Sequence, residues 1–483
     1  MINTRIKIRP VTSIIGLLVA VSGLTSCATV LDREYYSLKK PDEALRYLDR
    51  RILFNPFFTD ARLERGHVLY NAHRYRDAIN DFEKVSSAKS DCLKCVVSMQ
   101  TMIGSSYLAL EDPEHARIHF QMVKELAPND ARGPAGLGLV ALKDGKTADA
   151  VEAFSEAIRL DPKEPSYYGN RGLAFVNAQN VSRGIEDYTT ALTMDPKYVQ
   201  CYLNRGLALL DSDGRAGDAE KDFSRAAELD PSSAVAWNGR GYARHLQGKL
   251  AEALADYDKA LALNPAMTQA LGNRAQLYLQ TGRIKESASE YEKVTLMVPQ
   301  DSLPHFNRGT ALLILGESEA GIVELNKAEA IGFRPPDLYL NRGVGLRTVG
   351  RAREAEKDFN RALEMRPEWP EAHAERGINY LTLCQPTKAA DDFRTTIALQ
   401  PERTSSYYFL AISLEYAGQT SESIQAYERY AAMKIPEGEI SYIEDAKASI
   451  HKLKTQGSAG QSAADGSPAT GACSKSGLPQ QQK

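Results

Sequence analysis

Between residues 131 and 162 the apolar positions recur every three or four residues, once on each side of Gly145. Leu137, Ala141 and Leu142 come before it, and Phe154 and Ala157 come after it. That spacing predicts two amphipathic helices. Gly145 breaks them apart, and Pro162 ends the second one because proline cannot continue a helix. Small residues at Gly138, Ala150 and Ala157 let the two helices approach closely, and the Phe154 ring fills the space beside them.

The pattern repeats along the chain. Pro128, Pro162, Pro196, Pro231, Pro265 and Pro299 follow one another at 34 residues, once 35, and Pro367 and Pro401 resume the same register. Between them Phe333 stands where a proline would fall, with Pro335 and Pro336 just after it. Eleven full repeats start near Thr59, Val97, Ala131, Pro165, Val199, Ala234, Thr268, Ser302, Pro336, Pro370 and Thr404, with one extra residue in the turn at 211–215. A 34-residue helix–turn–helix with these small and large positions resembles the tetratricopeptide repeat. The resemblance covers 59–436 and implies an all-α superhelical solenoid whose work is binding other proteins. A half repeat is expected over 41–58, where Ala44, Leu48 and Pro56 fit a second helix only.

Both ends read differently. Ile440, Ile443, Ala446, Ile450 and Leu453 form one apolar stripe, as expected of a helix over 437–455 that caps the last repeat. From 456 to 483 Gly, Ser, Ala, Gln and Pro dominate, the composition of a disordered tail. Residues 1–26 hold no acid; Arg5, Lys7 and Arg9 precede an apolar run over 11–24. That run is short of the ~20 residues that span a bilayer and has the length of a signal-peptide core. Leu24-Thr25-Ser26-Cys27 resembles the bacterial lipobox. The resemblance implies cleavage before Cys27, lipidation of its thiol, and a tether over 27–40. With Ala28 following, it implies the periplasmic face of an outer membrane.

A second signal lies inside the repeats. Position 7, which the family fills with an apolar residue, is Arg65, Arg171, Arg205, Arg240, Arg274, Arg308, Arg342 or Arg376 in eight repeats. Position 23 of those repeats is Asp81, Asp187, Asp222, Asp256, Glu290, Glu324, Asp358 or Asp392. Where position 7 is Ile103, Leu137 or Leu410, position 23 is His119, Ala153 or Ala426. The charges come and go together, which predicts an ion pair between the two helices of each repeat. Arginine suits it because its planar fork holds a carboxylate through two bonds.

Position 6 is Asn170, Asn204, Asn273, Asn307 or Asn341, with Asn238 one residue early. In tetratricopeptide superhelices this position faces the concave groove, so the resemblance implies an asparagine ladder that hydrogen-bonds a partner's backbone. Phe306 and Tyr408, at position 5, are placed in the same groove. The aromatics Tyr408, Phe409 and Tyr416 of the last repeat either anchor a partner or lie under the cap helix. The Lys-and-Asn carboxylate clamp of chaperone-binding members is absent, since position 5 is nowhere Lys.

Cys92-x-x-Cys95 lies between the first two repeats. A local disulfide fits an oxidising compartment, two free thiols are the alternative, and zinc would need a second ligand pair. No metalloprotease, serine-hydrolase or phosphate-loop motif occurs, and the repeats leave no room for a catalytic domain. No catalytic residue, metal, cofactor or small-molecule substrate is therefore expected. The 59 Lys and Arg against 62 Asp and Glu give −3, which argues against nucleic acid. The expected function is a lipid-anchored scaffold or adaptor that recruits envelope proteins through its groove. The alternative is a structural subunit of a polysaccharide-export or pilus–secretin assembly machine.

Overall fold

A computed structural model describes residues 41–54, 59–86, 93–212 and 214–459. Cys27, Cys92, the leader at 1–26 and most of the tail lie outside the described residues. Among the described residues the chain is all α, apart from a short 3-10 turn at Glu437–Glu439.

The helices come as pairs in the order the spacing predicts. The chain divides into two compact parts, one ending at Gln269 and one starting at Ala270. The N-terminal part opens with a single helix, Pro41–Phe54. Six pairs follow, from Thr59–Asn71 with Tyr75–Ser86 to Ala234–Leu246 with Leu250–Leu263. The C-terminal part holds all but two residues of the pair Thr268–Gln280 and Ile284–Met297. Four further pairs lead to Thr404–Tyr416 with Thr420–Ala431, and a closing helix spans Ile440–Ala459. That helix runs four residues past the expected end at 455.

In both parts the second-helix aromatic at position 24 forms the core. Phe82, Phe120, Phe154, Tyr188, Phe223, Tyr257, Phe359, Phe393 and Tyr427 are all buried. The ring sits where only a small residue leaves room. A Cβ on Gly206 would come within 2.9 Å of the Phe223 ring, and one on Gly239 of the next repeat within 2.4 Å. One aromatic thus locks its own first helix to the following one.

The turn between the two helices takes a left-handed residue at position 15 in ten repeats, and at Gly214 in the repeat with the longer turn. It is glycine at Gly145, Gly248, Gly282, Gly316, Gly350 and Gly418, but His73, Glu111, Gln179 and Cys384 take the same conformation at φ 54–62°. A side chain there costs roughly 1–2 kcal/mol. Gln179 is exposed, so Gln179→Gly is expected to raise stability by about 0.5–1 kcal/mol in denaturant unfolding. No gain would mean that the turn carries no strain.

Candidate functional site

The charged positions are used up inside the repeats. Arg65, Arg171, Arg205, Arg240, Arg342 and Arg376 each hold the aspartate of their own second helix through Nε and Nη2. The twelve distances lie between 2.6 and 3.0 Å. Hydrogen bonds donated to the Asp222 carboxylate hold the Arg205 guanidinium pKa above its ordinary value, against the opposing effect of burial. The two glutamate versions are single contacts, Arg274 to Glu290 at 2.9 Å and Arg308 to Glu324 at 3.4 Å. The extra methylene of Glu carries its carboxylate past the point where both arms can meet it.

The guanidinium has a further arm, and the sequence reading missed where it goes. It reaches sixteen residues back, to position 25 of the preceding repeat. Arg65 Nη1 donates to Asp49 at 2.6 Å, Arg171 to Ser155 at 3.2 Å and Arg205 to Thr189 at 3.0 Å. Arg308 donates to Glu292 at 2.6 Å, Arg342 to Asn326 at 2.9 Å and Arg376 to Asn360 at 2.8 Å. One arginine therefore closes its own repeat and staples it to the one before. The signal was present, because each of these arginines is preceded at that spacing by an oxygen-bearing side chain.

A second staple lies at position 4. Tyr168, Tyr202 and the Trp237 indole donate to the carbonyls of Pro162, Pro196 and Pro231 at 3.0–3.4 Å. His305 and His373 face Pro299 and Pro367 in the same way, at 3.3 and 2.9 Å. Their other ring nitrogens face Glu324 and Asp392 at 2.6 and 2.9 Å.

The asparagines divide into two kinds, which corrects the expected ladder. Asn170 and Asn204 are half-buried, and Gln200 donates to Asn204 Oδ1 at 2.9 Å. Asn273 is also half-buried. Asn307 and Asn341 are buried. Asn307 Nδ2 donates to the Tyr291 hydroxyl at 3.2 Å, and Asn341 Nδ2 to Thr310 Oγ1 at 3.1 Å. The cause is the preceding repeat. It offers Asn341 a threonine at position 9, while Asn307 takes the Tyr291 hydroxyl at position 24, where Tyr188 also precedes Asn204. Before Asn170 and Asn204, position 9 is Leu139 and Leu173. Asn307 and Asn341 tie repeats together and present nothing to a partner.

Phe306 and Tyr408 are corrected in the same sense. Phe306 is buried, with its ring centroid 5.0 Å from that of Phe333. Tyr408 is buried and stacks on Tyr442 of the closing helix at 4.8 Å and 13°. The cap covers the aromatic cluster of the last repeat.

A stripe on the first helices of the N-terminal part remains accessible. Asn170, Leu173 and Asn177, then Asn204, Leu207 and Asp211, then Asn238, Tyr242 and Leu246 are half-buried to exposed. On each helix an asparagine is followed three or four residues later by a leucine or tyrosine, and four residues on by Asn177, Asp211 or Leu246. A polar hollow of about 670 Å³ lies elsewhere, lined by Asp218, Glu220, Lys221, Arg225 and Lys249. Burial pushes the Glu220 carboxyl up, but bonds from Lys249, Arg244 and Gln247 outweigh it and bring it down to about 2. Its charges are spent on one another.

Cys95 is disulfide-bonded; its predicted partner, Cys92, is outside the described residues. Burial pushes the Cys201 thiol up to about 12, so it is a packing group. Among the described residues no cluster of three or more His, Cys, Asp or Glu could hold a metal. No helix among them is long and apolar enough to cross a membrane.

Stacked helix pairs with an accessible amide–apolar stripe define a repeat scaffold of the protein-interaction class. The tetratricopeptide-repeat family matches residues 101–165, 135–199, 170–234, 234–267 and 268–301, so the stretch from 101 to 301 consists of tetratricopeptide repeats. No curated protein matches the chain significantly. Similar solved structures include the Cut9–Hcn1 hetero-tetramer of the APC/C, at 14% identity and TM-score 0.45, covering 80% of this chain and 89% of that one. YrrB, described as a TPR protein with an unusual peptide-binding site, is 23% identical at TM-score 0.35, covering 38% and 95%. PilF of Pseudomonas aeruginosa is 16% identical at TM-score 0.41, covering 47% and 99%.

Proposed function

We propose that the protein is a lipid-anchored scaffold that gathers envelope proteins, holding an extended segment of a partner along the stripe from Asn170 to Tyr242. One observation carries the reading. Asn170 and Asn204 stay on an accessible surface while the position-7 arginines of the repeats are engaged internally. An amide beside a leucine offers a donor and an acceptor to a peptide backbone and an apolar rest for its side chains. The anchor is read from the lipobox resemblance at Cys27, and Ala28 after it supports the periplasmic face of an outer membrane. The scaffold needs no catalytic group and no cofactor.

The test is capture from detergent-solubilised membranes of palmitate-labelled cells. The wild-type chain is expected to be labelled and to retain envelope proteins. Cys27→Ala is expected to lose the label. Asn170→Ala with Asn204→Ala is expected to keep the label and the melting behaviour while retaining several-fold less partner. Unchanged labelling of Cys27→Ala overturns the location, and full capture by the double variant overturns the stripe. A β-barrel porin as the dominant partner would replace the adaptor reading with the export machine.

A further inference from the structure

The first and last described helices treat water differently. Apart from Ile440, the closing helix Ile440–Ala459 turns polar residues outward, with Ser441, Glu444, Lys447, Lys452 and Lys454 all exposed. That is the surface the end of a repeat stack needs to stay soluble. The first helix, Pro41–Phe54, breaks the rule. It buries Ala44, Leu45, Leu48 and Ile52 and leaves Leu53 79% and Phe54 89% exposed. These are the two most exposed large apolar side chains among the described residues, and Tyr47 is 46% exposed.

These residues share one face. At 100° per residue, Arg46, Tyr47, Arg50, Leu53 and Phe54 fall within about a third of a turn, opposite the buried side. Arg46 and Arg50 are both exposed. Glu43 is the acid on this face, and it lies at the far end of the helix from Leu53 and Phe54. Two arginines, a tyrosine and an apolar tip make an interfacial pattern: aliphatic and aromatic groups below the headgroups, phenol at their level, cations against phosphate.

We infer that this face is a membrane-contact surface, with Leu53 and Phe54 seated in an anionic lipid bilayer and Arg46 and Arg50 on its headgroups. The inference rests on the lipid-anchor reading. Thirteen residues, 28–40, separate Cys27 from the helix and span at most ~45 Å, so the bilayer that holds the acyl chains is within reach of the helix. A face too weak to bind lipid alone then acts as a second contact at high local concentration. It sets the orientation of the first repeat against the membrane, which a bare tether would leave free.

The chain has two tryptophans, Trp237 and Trp369, both outside this face, so Phe54→Trp adds a reporter there. Full chain purified from membranes is reconstituted with vesicles of phosphatidylcholine and phosphatidylglycerol carrying brominated acyl chains. The Phe54→Trp chain is expected to float with the vesicles and lose the added emission, while wild-type emission is unchanged. Leu53→Ser in the same chain is expected to restore much of that emission. Flotation without quenching overturns the inference and leaves the anchor standing. Neither flotation nor quenching overturns both. A dimer that Leu53→Ser with Phe54→Ser dissolves, without quenching, assigns the face to a second copy and overturns the inference.

Discussion

Replacing Arg205 by leucine is expected to destabilise its repeat by about 3 kcal/mol, because Asp222 is left buried and charged without its partner. The Asp222 side chain is 7% exposed and the Arg205 side chain 20%, so little water reaches the gap. Removing both charges, Arg205→Leu with Asp222→Ala, is expected to recover most of the loss. A pair of this kind often adds little over an apolar filling, and the penalty arises from breaking one side. The bond to Thr189 adds a second signature. Amide exchange in Arg205→Leu should quicken in Val181–Met194 of the preceding repeat as well as in Ala216–Leu229. If the double variant unfolds no later than the single one, the pair is not what arginine does at position 7. If exchange changes only in its own repeat, the staple to the preceding repeat is void.

The second large effect is expected at Phe223. The ring is fully buried and wedged between Gly206 of its own repeat and Gly239 of the next. Phe223→Ala removes the transfer energy of a benzyl group and leaves a cavity that two helix backbones cannot both close. A loss of about 3–5 kcal/mol follows. Gly239→Ala attacks the same contact from the other side, and forcing a methyl against the ring costs about 1–3 kcal/mol. Denaturant unfolding followed with probes in adjacent repeats checks both. A cost under ~1 kcal/mol for Phe223→Ala would show that the ring is not the lock between repeats.

What the sequence revealed of this molecule is what a fixed hairpin determines. Within one repeat, sixteen residues separate position 7 from position 23 across the same turn, seventeen for Arg205 and Asp222 where the turn holds one more residue, so Arg171 and Asp187 meet whatever lies around them. The same holds for Gly138 under Phe154. What could not be read repeat by repeat depends on the neighbour. Asn204 and Asn341 share a position, yet one remains accessible and the other is tied to Thr310. The difference lies in the repeat before each, where Leu173 offers nothing and Thr310 offers a hydroxyl. Tyr408 shares its position with Leu203 but ends under Tyr442 of the closing helix. The backbone of the turns is a third case. Gln179 and Cys384 give no sign of the left-handed conformation that Gly145 announces, because the hairpin imposes it on whatever residue stands there. The candidate site shrank accordingly, from five asparagines and two aromatics to a stripe centred on Asn170 and Asn204.

The proposed function requires that partners be held on that stripe. Its most direct test is a photo-crosslinking amino acid placed singly in the full chain in living cells, at Asn204 or Leu207 on the stripe and at Glu186 or Lys221 on the exposed second helices. Discrete adducts with the same one or few envelope proteins are expected from Asn204 and Leu207, and none from Glu186 and Lys221. Adducts from the second helices alone, or the same adducts from all four positions, would contradict it.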